Sequence, residues 1–355
     1  MIKDIKIQNY KLFKFFSVKD LSQILLVGGG NNSGKTSFLE AIYLSLDYGN
    51  PGMFMNHFRW RGVDSVSNNA QALFAPVYHG FDLSKSMVFE SSTQSKKRKI
   101  EYQFLQLTKQ HFIVQNGNSI ELPKEQPNNL GKVRIGFWEE GEKINEADLE
   151  LAINGIQLKN QQQSIQYSEH IKAIFLPSTA PVHPVEHAHQ YSELDKLNNT
   201  VGILHALQII EPKLKSLSVI SAGKSSAIYG DIGLGQKIHL SLMGQGIGHL
   251  LSILLAINSV KDGIVLIDEL ENGFHHSVLP RIWEVITRTA KVNNTQVIAT
   301  THSYELMKAA IESIPEDLKD DFKYIRIDKE ENEFKTKQYR FQNLQVALEN
   351  ELEVR

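Results

Sequence analysis

The stretch Gly29-Gly30-Asn31-Asn32-Ser33-Gly34-Lys35-Thr36 decides how this chain is read. It is a complete G-x-x-x-x-G-K-T phosphate-binding loop. The apolar run Ile24-Leu25-Leu26-Val27 precedes it and an amphipathic stretch, residues 37–46, follows. That is the strand–loop–helix setting the motif requires. Glycines let backbone N–H groups curl around a β-phosphate at a helix N-terminus, whose partial positive charge favours anions. The spacing lets Lys35 reach the β- and γ-phosphates and lets the Thr36 hydroxyl ligate Mg²⁺. Gly29, Asn31, Asn32, Ser33, Gly34, Lys35, Thr36 and Ser37 are therefore the expected nucleotide-binding residues.

A second stretch, Gly263-Ile264-Val265-Leu266-Ile267-Asp268-Glu269, is an apolar strand ending in two acids. An acid at the carboxyl end of a buried strand can hold Mg²⁺ opposite Thr36, so Thr36 and Asp268 are the expected metal residues. The adjoining Glu269 suits a general base that polarises an attacking water. A third element, Ala299-Thr300-Thr301-His302-Ser303, again follows an apolar strand. His302 there can hydrogen-bond a γ-phosphate and register its loss. Catalysis is thus expected from Glu269, Lys35 and His302.

Composition sets bounds without choosing a function. The 355 residues are 41% hydrophobic with a net charge of −2, an ordinary globular balance that neither draws the chain to nucleic acid nor bars it. Cysteine is absent, which excludes disulfides and thiolate metal sites and fits a reducing compartment. The N-terminus alternates polar and apolar residues and lacks a signal-peptide block. Its longest apolar run, residues 250–257, is too short to cross a bilayer. A soluble, cytoplasmic protein without a membrane partner is expected.

Taken in order, residues 2–7, 12–18 and 24–28 read as strands, the first two as a hairpin beside the phosphate-loop strand. A helix over 34–47 stops at Gly49-Asn50-Pro51-Gly52, and 53–60 suits a short helix. Alternation over 99–107, 111–114, 120–122, 133–137 and 149–153 predicts an antiparallel meander. Strand 171–176 follows a loop at Gln161-Gln162-Gln163. Helices are expected within 191–215, and strands at 217–221, 227–230 and 237–242. Helix 248–260, strand 263–267, helix 276–291, strand 296–300 and helix 304–313 then give a βαβ rhythm. Strands 322–327 and 334–341 and a helix from Asn343 end the chain.

Residues 29–36, 266–269 and 301–303 together resemble the motif set of ABC-type ATPases. Within that class the chain is similar to the RecF/SMC-like branch and most of all to the OLD-like ATPases. The pointers are Gly-Asn-Asn-Ser-Gly-Lys-Thr-Ser in the loop, the opening strand pair, and Asp268-Glu269-Leu270-Glu271-Asn272-Gly273-Phe274-His275. The resemblance covers residues 1–48 and 170–340. It implies an α/β P-loop NTPase fold, a mixed central sheet flanked by helices, carrying a β-rich insertion. Residues 1–48 and 171–355 would be the two parts of the ATPase domain, and 49–170 the insertion.

The resemblance further implies ATP and Mg²⁺ as cofactors and a homodimer, or higher homo-oligomer, closed around ATP. Each loop would face a signature motif of the other subunit, here Met243, Gly244, Gln245 and Gly246 within 241–246. This departs from Leu-Ser-Gly-Gly-Gln because no serine holds the usual register. Glu271, Asn272 and His275 fall where the resemblance places the loop between active sites; no residue is identified as the glutamine loop, and Gln71, which lies before the meander, is tied to metal by nothing. The Toprim nuclease of OLD nucleases and the coiled coil of SMC proteins have no counterpart here. A separate effector, a nuclease or toxin, is therefore the expected partner in prokaryotic defence against phage or foreign DNA. A RecF-like repair ATPase that binds DNA directly, or an ATP-held scaffold, is the alternative.

Two signals point elsewhere. His183-Pro184-Val185-Glu186-His187, with His189 beyond, fits an H-x-x-E-H zinc pattern; Pro181 and Pro184 make its start extended or irregular, although Pro184 could open a first helical turn, so a loop is expected rather than the helix zinc needs. Lys96-Lys97-Arg98-Lys99 reads as a solvated hairpin end rather than a phosphate patch. No guanine-reading Asn-Lys-x-Asp is present, so ATP is preferred to GTP.

Overall fold

The computed structural model describes residues 1–46, 53–62, 70–105, 112–115, 118–121, 131–152, 155–159, 171–178, 184–223, 225–331 and 333–354. The expected helix stop at 49–52, the loop at 161–163 and His183 lie outside them. The chain divides into two compact units: Met1, 20–43 and 171–355 form one, 2–19 and 44–170 the other.

The first unit is built on a six-stranded sheet in the order Ala173–Leu176, Ile264–Ile267, Gln296–Thr300, Ile24–Gly28, Phe322–Glu330, Glu333–Arg340. Its first five strands are parallel and the last is antiparallel. Residues 264–267 and 24–28 are wholly buried, as befits parallel strands covered by helices on both faces. Helices Gln245–Ser259, Leu279–Val292 and Tyr304–Ser313 join the same core through their buried apolar faces. Trp283, fully buried, donates its indole N–H to the Leu306 carbonyl at 3.0 Å and joins two of these helices.

The second unit holds a seven-stranded antiparallel sheet. Its order is Gly155–Lys159, Glu142–Ala152, Lys132–Glu139, Lys97–Leu105, Met87–Ser92, Asp4–Tyr10, Phe13–Val18. The meander is as expected, with two strands, 87–92 and 155–159, that the alternation had not marked. Phe112–Gln115 and Asn118–Glu121 form a separate hairpin. The opening hairpin corrects the sequence reading. Asp4–Tyr10 pairs with Met87–Ser92, whereas the neighbours of Ile24–Gly28 are Gln296–Thr300 and Phe322–Glu330. Half-polar strands match an antiparallel sheet with one wet face, whereas Ile24–Gly28 is buried on both faces.

Three local readings also change. Residues 184–195 are a helix, not a loop, because Pro184 takes its first position, where a missing N–H costs nothing. The strand expected over 237–242 is only Ile238–His239 before a 3-10 turn, Leu240–Leu242. The helix expected from Gly248 starts at Gln245. Three of the four residues of the basic run are paired within their own unit. Lys96 and Arg98 pair with Glu139 at 2.7 and 3.3 Å, and Lys99 pairs with Glu101 at 2.9 Å. Among the described residues no helix is long and apolar enough to cross a membrane.

The phosphate-loop strand runs close against its neighbour. A Cβ on Gly28 would lie 2.0 Å from the Tyr324 hydroxyl, which itself donates to the Val354 carbonyl. Gly28→Ala should therefore destabilise the chain by about 1–3 kcal/mol through overpacking. Urea titration checks this, and an unchanged midpoint would contradict it.

Candidate functional site

The loop folds as its residue types require. Gly29 has φ 133° and Gly34 φ 90°, regions that glycine enters without strain. At Gly29 a Cβ would also meet the Ile327 carbonyl at 2.3 Å. Asn31 and Asn32 are exposed at the loop's rim, while Ser33, Lys35 and Ser37 are buried. The helix Lys35–Leu44 begins directly behind them.

Lys35 is turned back into its own loop. Its ammonium donates to the carbonyls of Gly29 and Gly30, each at 2.8 Å. Burial lowers its pKa to about 8, although Asp268, Glu269 and Glu271 pull it upward. A cation held beside the loop amides at the edge of its charge range is suited to an incoming polyphosphate.

Asp268 is the hub. Its carboxylate accepts from Thr36 Oγ1 at 3.0 and 3.2 Å, from Ser178 Oγ at 3.1 Å and from Thr300 Oγ1 at 2.8 Å. Ile264–Ile267 lies between the other two strands, with Ile267 opposite both Leu176 and Ala299. The sheet therefore delivers Ser178 and Thr300 to either side of the acid. Thr300 Oγ1 also accepts the Glu269 N–H at 2.8 Å. Ser178 and Thr300 escaped the sequence reading. Thr300 stood within a quoted stretch, as the last residue of an apolar strand, but Ser178 carried no motif.

Glu269 follows in the left-handed region at φ 53°, and its Oε2 accepts from the Asn272 amide at 2.7 Å. A non-glycine residue in that conformation is held by its surroundings. Glu271 Oε1 accepts the His302 N–H at 2.7 Å, which ties the loop after the acids to the loop carrying the histidine. The His302 ring itself is exposed.

Met243, Gly244, Gln245 and Gly246 stand at the head of helix Gln245–Ser259, with Gly244 as its N-cap at φ 106°. A Cβ at Gly246 would lie 2.4 Å from the Gly273 carbonyl, so this segment abuts the loop after the acids. Gln71 is exposed on the short helix Ala70–Phe74 of the second unit. Of the zinc-pattern residues, Glu186 and His189 are exposed and His187 Nε2 meets Ser252 Oγ at 3.0 Å. Among the described residues no three metal-ligating side chains gather.

The sequence model described as "AAA domain, putative AbiEii toxin, Type IV TA system" matches residues 24–308, which span the loop, both acids and the histidine. The chain belongs to this AAA-domain family. A Helicobacter pylori protein named ATP/GTP phosphatase is 22% identical across 99% of each chain. An uncharacterised protein of Methanocaldococcus jannaschii is 40% identical over 70 residues, which is 20% of this chain and 61% of its own length. An SMC head crystallised with the C-terminal winged-helix domain of ScpA superposes over 98% of this chain and 99% of its own. Its TM-score is 0.53 at 12% identity, a likeness of fold. The family member described here therefore has the α/β architecture of the ABC-type P-loop ATPases.

The position of Lys35 has a measurable consequence. Free Lys35 loses its proton as pH rises through about 8, and a bound phosphate beside it favours the charged form. Nucleotide binding should therefore take up about a quarter of a proton near pH 7.5 and nearly one near pH 9. Titration calorimetry in buffers of different ionisation enthalpy measures this. Equal uptake at both values would contradict the lysine's role.

Proposed function

We propose that the family member is a Mg²⁺-dependent ATPase working as a switch, closing as a homodimer around ATP and reopening after hydrolysis. The chain is an ATPase of the AAA/ABC type. The observation that carries the finer reading is the convergence of Thr36, Ser178 and Thr300 on Asp268, beside the buried Lys35.

The donor set fits Mg²⁺. A threonine hydroxyl and a carboxylate stand within 3.0 Å of each other at the head of the phosphate loop, both hard oxygen donors. When bound there, Mg²⁺ would neutralise phosphate charge. Thr36 and Asp268 would hold it, and Ser178 and Thr300 keep the Asp268 carboxylate oriented. The amides of residues 29–37 and Lys35 would hold the phosphates. Glu269 is the group for orienting water and accepting its proton, and its turn places it one residue beyond the metal acid. His302 is the γ-phosphate contact, fixed to the acid loop through Glu271. Catalysis in such a site rests on positioning and electrostatics. In the dimer, Met243, Gly244, Gln245 and Gly246 would offer backbone N–H groups from a helix N-terminus to the partner's phosphates.

At the biological level the reading is a sensor-regulator ATPase in defence against phage or foreign DNA, acting on a separate effector protein. Support comes from the OLD-like motif order and from the description of the matching family as a putative toxin of a toxin–antitoxin system. The name of the Helicobacter pylori relative supports phosphohydrolase chemistry.

Glu269→Gln should keep ATP affinity within about threefold while phosphate release falls by about 10²–10⁴-fold. Parallel binding and phosphate-release assays check the pair. Turnover at the parent rate with intact binding would move the base role to another group.

A further inference from the structure

Beyond the phosphate loop, the first unit contains a cavity of about 410 Å³. It lies between the residues following Ala173–Leu176, the start of helix Pro184–Asp195, strand Ile238–His239 and the first turns of helix Gln245–Ser259. Three imidazoles, His187, His239 and His249, line it, while Ile228, Leu240 and Leu251 supply apolar wall. Among the described residues no lysine, arginine, aspartate or glutamate lines it.

The polar lining is neutral and directional. Burial lowers the pKa of both His187 and His249 to about 4, so each ring carries one donor and one acceptor near neutral pH. Ser252 gives its hydroxyl proton to the Gly248 carbonyl at 2.8 Å, so His187 Nε2–H donates to that hydroxyl at 3.0 Å and its Nδ1 is left as an acceptor. The His249 ring donates to the Leu270 backbone, and its Nε2 is buried with no partner. His239 Nδ1 accepts the Ser241 N–H at 3.2 Å, so its proton sits on Nε2.

We propose that this cavity is a second binding site, for an uncharged planar heterocycle of nucleoside size. The volume falls within the range of small-ligand pockets, whose walls are mostly apolar with a few fixed polar groups. No lysine, arginine, aspartate or glutamate side chain of the wall would pair with an ionised ligand group, and burying such a group unpaired is costly. Flat imidazole and proline surfaces, with alternating donors and acceptors, match the edge and faces of a base. The site also communicates with the ATPase centre. Ser178, in its wall, is one of the three hydroxyls on Asp268. The opposite wall is the helix whose head carries residues 243–246. Occupancy would thus bear on both the metal acid and the segment offered to a partner subunit.

Ligand-observed NMR with adenosine, guanosine, cytidine and uridine tests this on the full chain. A nucleoside lacks the phosphates that Lys35 and the loop amides would hold, so the two sites can be told apart. Gly248 faces the cavity and a Cβ there meets nothing within 4 Å, so Gly248→Leu fills it without a backbone clash. At least one nucleoside should bind the parent with Kd below about 1 mM. Gly248→Leu should weaken it about tenfold or more, and Lys35→Ala should leave it within about twofold. If Gly248→Leu does not fold, Ser252→Ala, which only unseats His187, should weaken binding several-fold. No binding to the parent, binding undisturbed by both cavity variants, or binding lost with Lys35→Ala would each overturn the proposal.

Discussion

The carboxylate of Asp268 organises this molecule. Three hydroxyls from three separate segments converge on it, and a buried anion of that kind is tolerable only because they do. The convergence depends on strand order. Ile264–Ile267 must lie between Ala173–Leu176 and Gln296–Thr300 for Ser178 and Thr300 to flank the acid. The phosphate-loop strand must lie one place further along for Thr36 to arrive from the helix behind it. The site is thus a property of the parallel sheet, at the carboxyl ends of its strands, where open α/β sheets place their ligands.

From Asp268 the chain runs straight into a loop that touches everything else of interest. Glu269 is held by Thr300 and Asn272, and Glu271 holds the backbone of His302. Gly273 lies under Gly246 at the head of the signature-like helix, and the His249 ring of that helix meets the Phe274 ring at a tilt, centroids 5.2 Å apart. Six residues therefore connect Asp268, the histidine loop and the head of helix Gln245–Ser259.

Much of this was legible from local signals. The loop, the acids and the histidine announce themselves because each follows a short, wholly apolar strand and each chemistry needs particular residue types at fixed spacing. Non-local facts were not legible. The hairpin 4–18 gives no local sign of which sheet edge it will join, and its half-polar strands went to the antiparallel sheet. Ser178 is one serine among many until the sheet order sets it beside Asp268. The prolines of 181–184 suggested a loop because proline breaks helices internally, yet Pro184 opens one. The cavity could not be foreseen at all, since its lining comes from segments more than 60 residues apart, His187 and Ser252 among them.

In the proposed switch, ATP joins two subunits and hydrolysis separates them. Light-scattering mass of Glu269→Gln, with and without ATP and Mg²⁺, tests it most directly. The expected result is a monomer mass without nucleotide and a stable doubled mass with it, reversed by removing Mg²⁺. A mass unchanged by ATP, at any assembly size, would contradict the switch and leave a fixed scaffold in its place.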